Sequence, residues 1–327
     1  MLDAFPIIFS ITHGIISALG MSFNLLLIYL AIYQTPRVMR SYSTLIINFA
    51  LTDFGACFCD FFVQQRIIPG GLTLGYVSNG VCKYFGVTTC YVGYSLMMHF
   101  FAHSLWSLLL SFSYRCYILY KPSPTRQELA LLALLIYMPS LLQWVSFLWA
   151  QDEPAEIVEI FHQKFPAYDL TGQTVSGTKN ILCFSALFTI LHMTLPVTPV
   201  YICILLLRRK IVARLSFKGV IITKDTKNLH SQLLMALTYQ AAIPVFYLFG
   251  VASYATGQFG LYNHPALEYF SFTSLLFIPF LSPLASFIFV NHYRKFILRK
   301  VLKIVKVEPQ ETSSTAYNYQ SIVHVIS

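Results

Sequence analysis

Charged residues are scarce in this chain, which limits the classes of protein to which it can belong. Asp, Glu, Lys and Arg make up 11% of its 327 residues, whereas hydrophobic residues make up 56%. The mean hydropathy is +0.63. Soluble domains typically contain about 25% charged residues, so this balance excludes an ordinary soluble domain.

Two other patterns are absent from the sequence. It contains no His-Glu-x-x-His or His-His box of the kind that holds a catalytic zinc ion. It also shows no repeat between its first and second halves, which we would expect in a carrier. A seven-helix intramembrane zinc hydrolase and a small-solute carrier or channel are therefore kept only as alternatives. No metal or other cofactor is predicted.

Seven apolar stretches follow one another along the chain. They run over about 5–33, 43–64, 85–114, 129–150, 181–207, 232–256 and 268–291. Each is about as long as the roughly 20 residues that a helix needs to cross the hydrocarbon layer. The sequence predicts an all-α membrane protein, with a bundle of seven transmembrane helices over residues 1–291 and a tail over 292–327. The first stretch is too long for a signal peptide, so we expect it to be the first span.

The basic residues alternate from one side of this bundle to the other. The segments 34–42, 115–128, 208–231 and 292–327 contain two, three, seven and six of the 22 Lys and Arg residues. By the positive-inside rule, the amino terminus is extracellular and the tail is cytoplasmic. Because the basic residues flank spans, we expect them to contact the lipid bilayer and a cytosolic protein rather than nucleic acid.

The tail begins with an amphipathic pattern. Apolar residues such as Phe296, Ile297, Leu302 and Val305 alternate with Lys and Arg over 293–307. This spacing predicts a helix that lies on the inner leaflet after the seventh span.

Seven cysteines leave at least one thiol unpaired if every bridge is internal. Cys82, Cys90 and Cys183 fall at the outer ends of the third and fifth stretches. A bridge from Cys183 to either Cys90 or Cys82 would hold the 151–180 loop over the bundle.

Several polar residues lie inside the spans. Asp53 and Asp60 are seven residues apart, which places both on one helical face that must point inward. Asp53 is either a hydrated ion or proton site or a carboxylate satisfied by neighbouring hydroxyls; for Asp60 we favour the second role. His99 and His103 are one turn apart, but without further ligands we expect hydrogen bonds between helices rather than a metal site.

The cytoplasmic end of the third span has a recognisable motif. Arg115 is followed by Tyr117 and, seven residues on, by Pro122. This resembles rhodopsin-like receptors, although Tyr114 stands where they usually have an acidic residue. Asn24, Asn48 and Asp53, together with Ser282 and Pro283, extend the resemblance. Prolines within the later spans, Pro244 and Pro283 among them, predict bends that suit a bundle able to change shape.

Five segments resemble a narrower family, the nematode chemoreceptors of serpentine receptor class delta. They are TPRVMRSYSTLIINFALTDF (35–54), RIIPGG (66–71), CYVGYSL (90–96), HSLWSLLLSFSYRCYIL (103–119) and LLMALTYQAAIP (233–244). The resemblance covers about 24–296. It implies a receptor rather than an enzyme, in the plasma membrane of sensory neuron cilia, that binds a small-molecule chemical ligand and signals through a heterotrimeric G protein.

The resemblance to rhodopsin-like receptors also suggests where a ligand would bind. The third span would contribute Tyr94, Met97, Met98 and Phe101. Opposing spans would contribute His192, Tyr239, Gln240, Tyr247, Tyr269 and Phe272. The third span has no Asp or Glu and the seventh has no Lys, so we expect a neutral or apolar ligand and no retinal Schiff base. Glu268 would pair either with Arg66 or with a ligand cation.

The residues expected to change state on activation are Asp53, Tyr114, Arg115, Pro244 and Pro283. The G protein would dock on a basic surface next to Arg115. That surface comprises Arg208, Arg209, Lys210 and Arg214. The alternative is that these four basic residues only set the topology, a role that they have in either case.

Overall fold

The computed structural model describes residues 4–36, 40–216, 224–243 and 245–306. The helices in this part of the chain are α1 (Ala4–Tyr33), α2 (Arg40–Val63), α3 (Val87–Ile118), α4 (Arg126–Phe147), α5 (Pro154–Lys164), α6 (Phe184–Thr194), α7 (Val197–Ser216), α8 (Lys224–Ala242), α9 (Val245–Gln258), α10 (Pro265–Phe289) and α11 (Asn291–Lys306). The strands are β1 (Gln65–Gly70), β2 (Thr73–Ser78) and β3 (Thr174–Thr178).

Seven helical segments in the described residues are long and apolar enough to cross a membrane. The predicted seven-helix bundle is thus confirmed. The fifth segment divides into α6 and α7 around Pro196, and the sixth divides into α8 and α9. Proline cannot donate the backbone hydrogen bond that continues a helix, which accounts for the break at Pro196. Pro244, expected to bend the sixth span, lies outside the described residues.

The packing of the bundle follows the apolar pattern of each helix. α1 packs against α2 and α10, while α3 lies among α2, α4 and α7. α4 begins at a capping box, in which the Glu128 amide donates to Thr125 and the Thr125 amide donates to Glu128. Its leucines Leu131, Leu135 and Leu142 are exposed, as expected of a face that contacts lipid.

A three-stranded antiparallel sheet closes one end of the bundle. Gly70 pairs with Thr73 in the β1–β2 hairpin, so only Gly71 and Leu72 form the turn. Gly71 has a φ of 73°, which glycine adopts without a steric penalty. β2 also pairs with β3. The all-α prediction did not include this sheet, because strands of five or six residues are too short to be recognised as spans.

Helix α5 covers the outer face of the sheet. Ile157 and Phe161 of α5 cluster with Ile68, Val77 and Val175 of the three strands. Alternate strand residues belong instead to the core of the bundle; these are Ile67, Leu74 and Tyr76. The strands are therefore buried on both faces. We call β1, β2, β3 and α5 together the roof. The end of the bundle that the roof covers is called the sheet end, and the opposite end is called the Arg115 end.

The structure contradicts the predicted bridge to Cys183. Cys82 and Cys90 form a disulfide with each other, and Cys183 is exposed with a free thiol. The two bonded cysteines are eight residues apart, on a short 3-10 helix (Val81–Phe85) and on the first turn of α3. The turn between these helices brings their Cα atoms to 5.1 Å, a normal disulfide spacing. Cys183 lies immediately before α6.

The helix α11 follows the seventh span, where the sequence predicted an amphipathic helix over 293–307. Its Tyr293 is buried and lies within hydrogen-bond distance of the Thr35 hydroxyl, at 2.7 Å. Burial raises the pKa of Tyr293 to about 12. Phe296 packs against Tyr29 of α1. These contacts hold the first half of α11 against the Arg115 end.

Candidate functional site

A cavity of about 90 Å³ lies beneath the roof, between α3, α6, α9 and α10. Tyr94 and Met98 form its α3 wall, and Phe272 and Leu275 form its α10 wall. Roof residues close it from above; these are Ile67, Leu74 and Tyr76. The described residues around the cavity include aromatic rings, thioethers and hydroxyls but no Asp, Glu, Lys or Arg. Such walls suit an apolar or weakly polar guest.

Only some of the ten predicted ligand residues meet at this cavity. Tyr94, Met98, Tyr247 and Phe272 line it. Phe101, Gln240 and again Tyr247 line a second cavity of about 30 Å³, nearer the Arg115 end.

The other four predicted ligand residues line neither of these two cavities in the described part of the chain. Met97 is buried in the core. His192 packs against Phe188 of its own helix. Tyr239 packs against Phe289 and Tyr269 against Phe9, with ring centroids 6.0 and 4.6 Å apart.

A buried ion pair joins the roof to the seventh span. Arg66 donates to Glu268 at 2.7 Å from Nε, and its Nη2 lies 2.6 Å from the same Oε2. The Tyr168 hydroxyl donates to Oε1 of Glu268 at 2.6 Å. The guanidinium also lies over the rings of Tyr168 and Tyr269. Of the two roles considered for Glu268, the structure therefore shows pairing with Arg66.

Electrostatics favour the charged form of Arg66. Burial lowers the pKa of Arg66, but the charge and hydrogen bond of Glu268, together with Tyr269 and Tyr168, outweigh burial and raise the pKa above its ordinary value. Burial and the neighbouring Glu268 also raise the pKa of Tyr168. Arg66 thus stays charged and Tyr168 stays a hydrogen-bond donor, so the contact keeps its form over the physiological pH range.

Arg115 is buried at the opposite end, with 2% of its surface exposed. Its guanidinium lies 4.1 Å from the centroid of the Tyr42 ring. Among the described residues it forms no ion pair with a carboxylate. Tyr114 stacks on Tyr42, with centroids 5.9 Å apart, and its hydroxyl lies 3.0 Å from the Ser123 hydroxyl. Within the described part of the chain, Arg115 therefore contacts the aromatic ring of Tyr42 and not a carboxylate, as the absence of an acidic residue at position 114 led us to expect.

A family model described as "Serpentine type 7TM GPCR chemoreceptor Srd" matches residues 9–299. The chain belongs to this family. The receptor is similar to two Caenorhabditis elegans proteins. Serpentine receptor class delta-18 is 44% identical over 305 residues, which cover 92% of this chain and 90% of that relative. Serpentine receptor class delta-19 is 41% identical over 326 residues, which cover 97% and 96%.

A solved structure supports the same fold. The crystal structure of squid rhodopsin aligns with a TM-score of 0.61 at 13% sequence identity, covering 94% of this chain and 89% of that chain. At this identity the likeness concerns the fold alone. The resemblance to class delta chemoreceptors is confirmed, and the family and fold are those of receptors rather than enzymes. The receptor is a multi-pass membrane protein.

Sequence reasoning missed the roof residues of the receptor's cavity. Tyr76 was not predicted, yet its ring lies 4.7 Å from that of Tyr94 and 6.2 Å from that of Phe147. The signal was present in RIIPGG and TLGYVS, where a Pro-Gly-Gly turn separates two short runs with apolar residues. The position of β3, far along the chain, had no comparable local signal.

Both carboxylates of α2 are buried inside the receptor, as their spacing predicted. Asp60 accepts from Ser17 at 2.7 Å and lies 2.9 Å from the His13 ring nitrogen. Asp53 accepts from Ser104 at 3.3 Å. Asp60 is thus held by α1, and Asp53 lies nearer the centre of the bundle.

The paired histidines of α3 contact one tyrosine. The rings of His99 and His103 each lie 4.5 Å from the ring of Tyr137 in α4. His103 also lies 3.1 Å from the Ser107 hydroxyl of its own helix. The contact with Tyr137 is therefore aromatic packing. No group of three or more possible metal ligands occurs in the residues that the structure describes.

The proposed docking residues of the receptor differ in exposure. Arg209 and Lys210 are exposed on α7. Arg208 is half-buried and donates to Thr238 of α8 at 3.2 Å, while half-buried Arg214 lies over the Tyr120 ring. Two of the four side chains thus tie the fifth span to its neighbours. Pro283 is buried inside α10.

Proposed function

We propose that the receptor binds an external small molecule, neutral or apolar, and signals to a heterotrimeric G protein. The amino terminus and the roof would lie outside the cell, and the Arg115 end inside. The chemoreceptor family and the charge pattern support this orientation. We place the receptor in the plasma membrane of sensory neuron cilia, as its class suggests.

One observation carries the proposal: a cavity with uncharged walls lies where the third, fifth, sixth and seventh spans meet. A guest there would touch Tyr94 on α3, Met193 on α6, Tyr247 on α9 and Phe272 on α10. A ligand that fits one arrangement of these helices better than another shifts the population toward that arrangement.

Hydrogen bonds connect the cavity wall to the Arg115 half of the bundle. Tyr247 donates to the Met193 carbonyl at 2.6 Å, so a wall residue joins the sixth span to the fifth. Two turns away, Gln240 donates to the Ser282 carbonyl at 3.3 Å, next to Pro283. Movement of the sixth span at the cavity would change both contacts. Arg115 would then stabilise the opened cytoplasmic face that receives the G protein.

The test is a response screen with a matched pair of variants. Cells expressing the receptor and a calcium or cyclic-nucleotide reporter are exposed to volatile and water-soluble odorants. Arg115→Gln should abolish the evoked response at unchanged surface expression. Arg126→Gln removes an exposed charge at the same end, which donates to Thr44, and should respond as the parent does. An intact response in Arg115→Gln would contradict the proposal, and stoichiometric zinc in the purified protein would favour the hydrolase.

A further inference from the structure

We infer that molecules reach the cavity sideways from the bilayer, through a passage between α6 and α9, and not from the water above the roof. This inference rests on the proposed function for what the cavity binds, but the route itself can be tested without a ligand. It narrows the ligand class to apolar molecules that partition into membranes.

The roof closes the cavity toward water. All twelve residues of β1 and β2 are buried. Their hairpin tip is tied on three sides: Lys164 donates to the Gly70 carbonyl at 2.7 Å, the Ile181 amide donates to the Leu72 carbonyl at 2.9 Å, and Gln258 donates to the Gly71 carbonyl. Together with the buried Arg66–Glu268 pair, these bonds hold the roof in place over the cavity.

The side wall differs from the roof. Most residues around the cavity are buried, including every one contributed by the strands. Four of the five that keep partly exposed surface lie on two helices; they are Ile190 and Thr194 of α6 and Val251 and Tyr254 of α9. Next to them, Leu191 and Leu248 are 40% and 55% exposed on the faces expected to meet lipid. The opening therefore borders the bilayer.

The two helices beside this opening have their main partners elsewhere. α6 packs against α4, whereas α9 packs against α10 and β1. Among the described residues, one hydrogen bond joins α6 to α9, from Tyr247 to the Met193 carbonyl. Tyr247 lies one turn from Val251 on the Arg115 side, and Met193 is next to Thr194, so this bond would form the floor of the passage.

The passage is apolar in chemistry as well as position. Thr194 donates to the Ile190 carbonyl at 2.8 Å and Thr189 donates to the Ser185 carbonyl at 3.0 Å. Because these hydroxyls are satisfied within α6, the threonines can present methyl groups to a guest. A charged molecule would lose its hydration on this route without a replacement partner. An apolar molecule already dissolved in the acyl chains would not.

Thiol labelling separates the two routes. Thr189 is buried at the cavity wall, and Thr189→Cys places a thiol there. The variant also contains Cys183→Ser and Cys203→Ala, because both native thiols are exposed; the same background with Thr189 intact measures labelling of the other thiols. Intact cells receive either N-cyclohexylmaleimide, which is apolar, or a trimethylammonium methanethiosulfonate, which is charged and impermeant. Each rate is divided by the rate at Cys183 in a receptor that contains Cys203→Ala as its only substitution.

The apolar reagent should label Thr189→Cys, and the charged reagent should be slower by at least about tenfold after normalisation, because its charge opposes passage through hydrocarbon. Adding Val251→Trp should lower the labelling rate of the apolar reagent by about tenfold, because the larger side chain fills the passage. Leu248→Trp adds the same bulk on the outward face of α9 and should change the rate little. If Val251→Trp fails to reach the surface, Ile190→Phe narrows the passage from α6.

Equal normalised rates for the two reagents would overturn the inference, as would equal rates in Val251→Trp and Leu248→Trp. Labelling requires neither an odorant nor a G protein. A failed odorant screen with the expected labelling would thus count against the proposed function alone. A positive screen with rapid charged labelling would count against the route alone.

Discussion

At the scale of single residues, the contact between Arg115 and Tyr42 has a testable consequence. We expect it to hold the Arg115 end closed, because a buried cation lies 4.1 Å from the ring centroid. Such contacts contribute about 1–2 kcal/mol when desolvated. Tyr42→Leu should therefore shift the closed-to-open equilibrium by roughly 5- to 30-fold and raise signalling without ligand.

The control for this prediction is Tyr42→Phe, which keeps the ring and its stacking on Tyr114 while removing only the hydroxyl. It should signal as the parent does when second-messenger levels are compared at equal surface expression. Identical basal signalling in Tyr42→Leu and Tyr42→Phe would show that the ring does not restrain Arg115.

Residue-level inferences from sequence succeeded where periodicity fixes the direction of a side chain. The seven-residue spacing of Asp53 and Asp60 predicts one inward face, and both are buried. Counting turns cannot separate Met98, which lines the cavity, from Met97, which packs in the core. Adjacent helical residues differ by about 100°, and the rotation of each helix depends on its neighbours. The Cys183 pairing was wrong because a tight local turn between Cys82 and Cys90 leaves no composition signal.

At the scale of elements, the spans could be predicted from the sequence, but the pairing of the strands in the roof could not. Each span is a long apolar run whose helical form is enforced by the bilayer, where backbone groups must be satisfied internally. The β1–β2 hairpin has a local turn signal, but β3 pairs with β2 across about a hundred residues, as Tyr76 opposite Ser176 shows. Strand pairing at this distance depends on tertiary contacts that a sequence pattern does not contain.

The ion pair that fastens the roof predicts unequal effects of single and double substitutions. Glu268→Leu should destabilise the receptor by about 3–5 kcal/mol, because it leaves Arg66 charged, buried and unpaired. Combining it with Arg66→Met replaces the pair by apolar side chains and should recover most of that loss. Thermal unfolding of the purified receptor in detergent measures both variants.

The comparison of the double variant with the single variant supplies the control. The double variant removes both members of the ion pair, yet we expect it to be more stable than Glu268→Leu. If its melting temperature were lower than that of Glu268→Leu, the two losses would simply add. The pair would then contribute through packing rather than charge.

At the scale of the whole molecule, orientation can be checked with a single glycan. Gly172→Asn creates an Asn-Gln-Thr acceptor at 172–174, with its Asn in the segment between α5 and β3 and its Thr at the first residue of β3. Gly172 is exposed with a φ of 72°, a conformation that Asn tolerates better than most residues. We expect a shift in electrophoretic mobility that an endoglycosidase reverses, because the sheet end would face the secretory lumen.

The matched variant, Gln310→Asn, creates Asn-Glu-Thr in the tail. It should remain unglycosylated in the same cells. A glycan on the tail variant alone would invert the orientation inferred from the basic segments.

The Arg66–Glu268 pair also has a consequence for biosynthesis. Arg66 and Glu268 are 202 residues apart, so Arg66 is synthesised long before Glu268. Until α10 is inserted, Arg66 of the hairpin has no Glu268 with which to pair. We expect quality control in the cell to recognise this unpaired arginine in an incomplete receptor. Nascent chains truncated before Glu268 should therefore be retained and degraded early, and the last span to be synthesised would decide whether the β1–β2 hairpin, made long before it, becomes stable.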